Sequence, residues 1–279
     1  MEAEAEIVEK RAYGGLNNRF WAQRPLIGMV HLLPLPGSPR DTGAGMEAVL
    51  ARAIADAQRL EAGGANAIMV ENFFDAPFAK DSVPAVTVAA MTRAILAVRT
   101  ATSLPLGVNV LRNDIRSALA IAHVCGAQFV RCNVYVGASV TDQGIIEGAA
   151  RTAVLTRREL DADVAIWADV CVKHAKQLGT EVIEEAAKDA VLRGLADALI
   201  VSGAATGSLT DPADARAVKS VLPDTPVLVG SGFDLDTAAS LLAHADGAIV
   251  GTSLKPDNDV SQPVSAERVR LLRTAMSRP

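Results

Sequence analysis

Eight short β-rich runs alternate with longer Ala-rich stretches of helical period, and no other feature limits the fold as tightly. The runs are Leu26–Leu32, Ala67–Asn72, Leu106–Leu111, Phe129–Val134, Val164–Val170, Ala198–Gly203, Pro226–Gly232 and Gly247–Ser253. Their first residues lie 21 to 41 positions apart. Each interval has room for one helix and two loops, as a parallel crossover requires. The runs are nearly continuous in apolar residues, the pattern of strands buried on both faces. Between them, Met46, Val49, Leu50, Ala53, Ile54, Ala57 and Leu60 share one helical face, and Val182, Ala186, Val191 and Leu195 repeat the period. Asp211-Pro212 reads as a cap followed by a first-turn proline, and Asp234 as a second cap with a helix starting near it. Gly63-Gly64 and Gly126 supply left-handed residues where helices end.

Eight β/α units in about 250 residues is the arithmetic of a closed (β/α)8 TIM barrel. An open doubly wound sheet is the alternative, but no Gly-x-Gly-x-x-Gly follows the first run. No linker rich in Pro, Gly or Ser divides the chain. Residues 1–25 read as an N-terminal arm with a short helix near Asn17–Gln23, and residues 26–279 as one barrel domain.

Charge narrows the partners. The 279 residues carry 27 Lys+Arg against 32 Asp+Glu, a net charge of −5, with no basic block. Nucleic-acid binding needs a clustered cationic surplus and is not expected. There is no run of about 18 apolar residues, so no membrane span is expected. The opening MEAEAEIVEK is acidic and reads as neither signal nor transit peptide. Cys125, Cys132 and Cys171 are odd in number, widely spaced and set in apolar stretches. Reduced thiols in a cytoplasmic protein are the economical reading.

In a barrel the chemistry gathers at the C-terminal strand ends. Those ends are polar here: His31, Glu71-Asn72, Asn109 with Arg112-Asn113-Asp114, Arg131 and Asn133, Asp169 with Lys173-His174, and Ser202-Gly203 with Thr206-Gly207. The last two runs end in Gly230-Ser231-Gly232 and Gly251-Thr252-Ser253, the latter followed by Lys255. Two Gly/Ser/Thr-rich turns after strands 7 and 8, with a helix start near Asp234, predict a phosphate cradle made of Gly203, Gly230, Ser231, Gly232, Gly251, Thr252 and Ser253. Glu71 and Asp169, with Lys173 and His31, are the candidates for proton transfer beside a carbonyl. Should the site use a divalent metal, His31, Glu71 and Asp169 form a mixed N/O ligand set. The competing reading of Asp169 is an ion pair with Arg131. Asn72, Asn109, Arg112, Asn113, Arg131, Asn133, His174 and Ser202 are the candidates for hydroxyl or carboxylate contacts.

The segments LIGMVHLLPLPGSPR, VENFFDAPF, PLGVNVLRND, FVRCNVYVGASVTDQGII, ADVCVKHA, ADALIVSGAATG, VLVGSGF and GAIVGTSLK resemble the BtpA/SgcQ family over about Leu26 to Arg273. The resemblance implies a TIM barrel of the phosphate-binding type. It places family motif residues at His31, Glu71, Asn72, Asp75, Asn109, Arg112, Asn113, Asp114, Arg131, Asn133, Asp169, Lys173, His174, Gly230, Ser231, Gly232, Gly251, Thr252 and Lys255. Ala204-Ala205 departs from the polar pair expected before Thr206-Gly207. The family is named for a cyanobacterial protein tied to photosystem I biogenesis, and other members sit beside sugar metabolism. Two functions follow as expectations. The first is an enzyme on a small phosphorylated metabolite, a sugar-phosphate isomerase, epimerase or aldol-type lyase. The alternative is a non-catalytic assembly or regulatory factor that retains a ligand-binding barrel. By analogy with similar barrels, a homo-oligomer is expected.

Overall fold

A computed structural model describes residues 13–170, 175–179, 182–203 and 209–277. The strands in chain order are β1 (Leu26–His31), β2 (Ala67–Glu71), β3 (Leu106–Asn109), β4 (Phe129–Cys132), β5 (Ala138–Thr141) and β6 (Gly144–Glu147). They continue with β7 (Ala165–Val170), β8 (Ala175–Gln177), β9 (Ala198–Val201), β10 (Val227–Val229) and β11 (Gly247–Val250). Eight of them close a barrel in the order β1-β11-β10-β9-β7-β4-β3-β2, every neighbouring pair parallel. The predicted TIM barrel is the observed fold. β5, β6 and β8 were not foreseen as strands; they form a small antiparallel sheet inserted after β4 and β7.

The helices between strands are α2 (Gly45–Gly63), α3 (Ala85–Ala101), α4 (Ile115–Cys125), α5 (Ala150–Glu159), α6 (Ile183–Lys188), α7 (Pro212–Val221), α8 (Ala238–Leu242) and α9 (Ala266–Met276). Their termini follow the sequence signals in three cases. Gly64 and Gly126 close α2 and α4 in the left-handed region, and Asp211 caps α7 by accepting from the Ala213 amide, with Pro212 at the first turn. After β10 the expectation fails. Asp234 caps a turn, accepting from the amides of Asp236 and Thr237, and α8 begins only at Ala238 and is five residues long. Among the described residues no helix is long and apolar enough to cross a membrane.

Two apolar layers result. One lies between strands and helices, with Val30, Leu60, Ile68, Val98, Leu119, Ile166 and Leu199 among its members. The other fills the barrel: Ile27, Met29, Met69, Phe129, Trp167, Ile200, Leu228 and Ile249 project inward at every second position. Phe129 stacks on Trp167 with ring centroids 3.8 Å apart. Before β1, a short helix α1 (Asn18–Ala22) lays Phe20 and Trp21 against this layer, Trp21 5.6 Å from Trp167. The N-terminal end of the barrel is thereby covered.

Gly107 on β3 is glycine because the Phe129 ring occupies the space of its missing side chain; a Cβ there would lie 1.9 Å from Phe129 Cε2. Gly107→Ala is expected to destabilise by about 1–3 kcal/mol, as overpacking of a filled core does. Urea unfolding should show a lower midpoint at unchanged slope.

Candidate active site

The period of two that fills the barrel also sorts the polar strand ends. Counting inward positions upward, His31 follows Met29, Glu71 follows Met69, Arg131 follows Phe129 and Asp169 follows Trp167. The strand register puts His31 opposite Glu71 and Glu71 opposite Asn109, so the three stand in one row. Asn109 donates to Glu71 Oε2 at 2.5 Å, and His31 Nε2 lies 3.9 Å from Glu71 Oε1. Phe73 stacks on the His31 ring at 4.4 Å.

A cavity of about 140 Å³ opens over this row. His31, Glu71, Phe73 and Arg131 form one side, and the turns Gly230–Asp234 and Gly251–Ser253 form the other. The two Gly-rich turns therefore face the acid–imidazole pair across one basin. Two of their hydroxyls, those of Ser231 and Ser253, are engaged inside the protein. Ser253 Oγ donates to the Phe233 carbonyl at 2.7 Å and ties the turns together, while Ser231 Oγ accepts from the Gly203 amide at 2.8 Å. The Gly203 amide and the Ser231 hydroxyl thus join the β9 and β10 turns to each other, and Ser231 also lines the cavity. The glycines have separate reasons. Gly232 has φ +64°, Gly230 leaves room for Ser202 and Ile200, and Gly251 for the His31 ring, where a Cβ would come within 2.9 Å of Cε1.

Asp169 does not stand free. Arg131 Nε and Nη2 donate to its two oxygens at 2.7 Å each, Asn133 Nδ2 adds a third bond at 3.0 Å, and Ser202 Oγ approaches at 3.5 Å. Both partners are buried, 3% and 0% exposed at the side chain. Burial opposes the Arg131 charge, the Asp169 carboxylate outweighs it, and the guanidinium pKa is raised. Burial pulls that of Arg112 down, with Asp169 working against the shift. The competing ion-pair reading of Asp169 is the geometry observed. Accordingly, among the described residues no group of three His, Cys, Asp or Glu side chains is gathered to hold a metal ion, and His31, Glu71 and Asp169 do not form the expected ligand set.

Two other sequence candidates are occupied elsewhere, because they sit one position off the inward period or in the loops. Asn72 accepts from the Leu111 amide and donates to Asp75, and Asp75 accepts from Leu35. Asn113 binds both the amide and the carbonyl of Val134. Asn72 and Asn113 fasten successive loops around the mouth instead of facing the cavity. Lys173, His174, Cys171, Ala204-Ala205 and Thr206-Gly207 lie outside the described residues. Phe73 is not among the site residues that the sequence suggested; its spacing two residues past Glu71 is the available hint of its place on His31.

The sequence model of the BtpA family matches residues 22–278. The chain belongs to the BtpA family. It is 47% identical to the photosystem I biogenesis protein BtpA of Synechocystis over 92% of this chain and 90% of that protein. It is 33% identical to the putative sgc region protein SgcQ of Escherichia coli, over 88% and 92% of the respective chains. Among solved structures, a thiamine phosphate pyrophosphorylase from Pyrococcus furiosus shares the fold with a TM-score of 0.56 at 14% identity, covering 92% of this chain and 97% of that one. A tryptophan synthase from M. tuberculosis does so with a TM-score of 0.57 at 18% identity, covering 92% and 94%. This BtpA-family barrel thus shares its architecture with barrel enzymes.

Removing one partner of a buried ion pair strands the other charge. Asp169→Asn is expected to cost about 3–5 kcal/mol by chemical unfolding, and the paired replacement Arg131→Met with Asp169→Leu to recover most of that loss.

Proposed function

We propose that this protein is an enzyme acting on a small phosphorylated metabolite, most simply a sugar phosphate, by proton transfer at the barrel mouth. One observation carries the reading: the glycine-rich turns after β10 and β11 share a single cavity with His31 and Glu71. The phosphate rests on the backbone of Gly232, Gly251 and Thr252, with Ser231 and Ser253 holding those turns in shape. The nearby helix is too short to add to that binding, so the loop amides carry it.

Glu71 is the base. It faces the cavity, and its Asn109 bond orients it while leaving Oε1 toward His31. His31 is the acid partner. Arg131, held flat by Asp169, offers a fixed cation to the oxyanion that develops when a proton leaves carbon beside a carbonyl. Asp169 acts through Arg131 and not as a second base. The Oδ1 atoms of Asn109 and Asn133 are buried acceptors with no partner, since their amide nitrogens donate to Glu71 and Asp169. Neither residue lines the cavity; through their amide nitrogens they hold Glu71 and Asp169 in place. Isomerisation, epimerisation and aldol-type cleavage all use this set.

The name of the Synechocystis relative supports a second reading, a non-catalytic assembly factor with a retained cavity. Buried charges arranged around an accessible basin favour catalysis.

A thermal-shift panel of inorganic phosphate and phosphorylated aldoses and ketoses is expected to raise Tm for inorganic phosphate and at least one sugar. In D2O, NMR of that sugar should show loss of a carbon-bound proton signal. Glu71→Gln should slow the exchange by about 10²–10⁴-fold while keeping the Tm shift. No stabilisation by any member would end the phosphate reading; stabilisation without exchange or turnover would favour the assembly factor.

A further inference from the structure

Lys255 follows the short 3-10 turn Thr252–Leu254 and is fully buried, 0% exposed. Its ammonium has two hydrogen-bond contacts, the Val260 carbonyl at 2.7 Å and His31 Nδ1 at 3.1 Å. Burial pushes its pKa down to about 8; Asp56, Asp259 and Glu71 support the charge at longer range, and Arg52 opposes it. The Val260 carbonyl can only accept, so the lysine nitrogen donates there, and in its charged form it has three donors and no acceptor.

A buried lysine of depressed pKa at a barrel mouth invites the role of a Schiff-base nucleophile. The geometry points elsewhere. Lys255 is not among the residues that line the cavity, whereas His31 is. The ammonium meets the imidazole at the nitrogen opposite the one nearest Glu71. The ring itself is held in place, by Phe73 stacked on it and by the space that Gly251 leaves beside Cε1.

We propose that Lys255 is a positioning residue that sets the tautomer of His31: its N–H donates to Nδ1, so the imidazole carries its proton on Nε2, the nitrogen beside Glu71. A neutral imidazole with its N–H so placed donates a hydrogen bond to a substrate oxygen while Glu71 takes the proton from carbon, and the cation behind it strengthens that donor. This catalytic consequence rests on the proton-transfer reading above; the tautomer does not, and is measured without any substrate.

The test is long-range ¹H–¹⁵N NMR at pH 7 on protein labelled at the histidine ring nitrogens, with His31 assigned through His31→Gln. The expected spectrum has an unprotonated Nδ1 and a protonated Nε2. A proton on Nδ1, whether alone or together with one on Nε2, overturns the proposal. In Lys255→Met the Nδ1 signal should move toward the protonated position; an unchanged tautomer in a variant that folds overturns it too. Should that variant not fold, the wild-type spectrum decides alone. Borohydride treatment with a phosphorylated ketose should leave Lys255 unmodified by mass spectrometry, and an adduct there would make it a nucleophile instead. If a sugar phosphate is turned over, Lys255→Met should lower kcat more than tenfold with KM within about twofold, the split expected when an interaction matters only in the transition state.

Discussion

Closure of the ring through β1 and β11 is the constraint from which the rest of the molecule follows. Leu26, Ile27 and Gly28 pair in register with Ala248, Ile249 and Val250, joining the two ends of the barrel sequence. That seam sets His31 beside Gly251 and within reach of Lys255, residues more than two hundred positions apart in the chain. It also turns the last two glycine-rich turns toward Glu71. In an open sheet β1 and β11 would have no such seam, and the imidazole would have neither its lysine nor its glycine.

Within the closed ring a single periodicity does two jobs. Alternate side chains fill the interior with Met29, Met69, Phe129 and Trp167, and the next inward position on those strands is His31, Glu71, Arg131 or Asp169. The apolar layer is thus the floor on which the charged layer stands. Burial makes each charge costly, so each is paired: Asp169 with Arg131, Glu71 with Asn109. The intervening residues point out of the ring or into loops and serve the backbone. Asn72, Asp75 and Asn113 link one βα loop to the next around the β1 to β4 side of the mouth.

Much of this was legible in the sequence for physical reasons. Buried parallel strands leave continuous apolar runs, and their spacing counted out the barrel; caps such as Asp211-Pro212 are local and were readable locally. The glycine turns after β10 and β11 are local features too, and the structure has both of them lining the cavity. The roles of the polar strand ends were harder to read. Glu71 and Asn72 are adjacent and equally polar, and only their phase relative to Met69 separates a cavity residue from a loop fastener. Asp169 looked like a base because its partner Arg131 lies on a different strand, and pairing across strands depends on register. The small sheet of β5, β6 and β8 was missed because short strands in a polar insertion, such as Ala138–Thr141, lack the long apolar run that marks barrel strands. Asp234 looked like a helix cap because an Asx turn and a helix start share the same side-chain-to-amide bonds.

The helix Asn18–Ala22 and its aromatic side chains have a consequence for traffic. With Trp21 over Trp167 at one end and a densely filled interior above it, the described residues leave no passage along the barrel axis, and whatever enters by the mouth leaves by the same doorway. Successive occupants then share one exit, and one that leaves slowly holds off the next arrival.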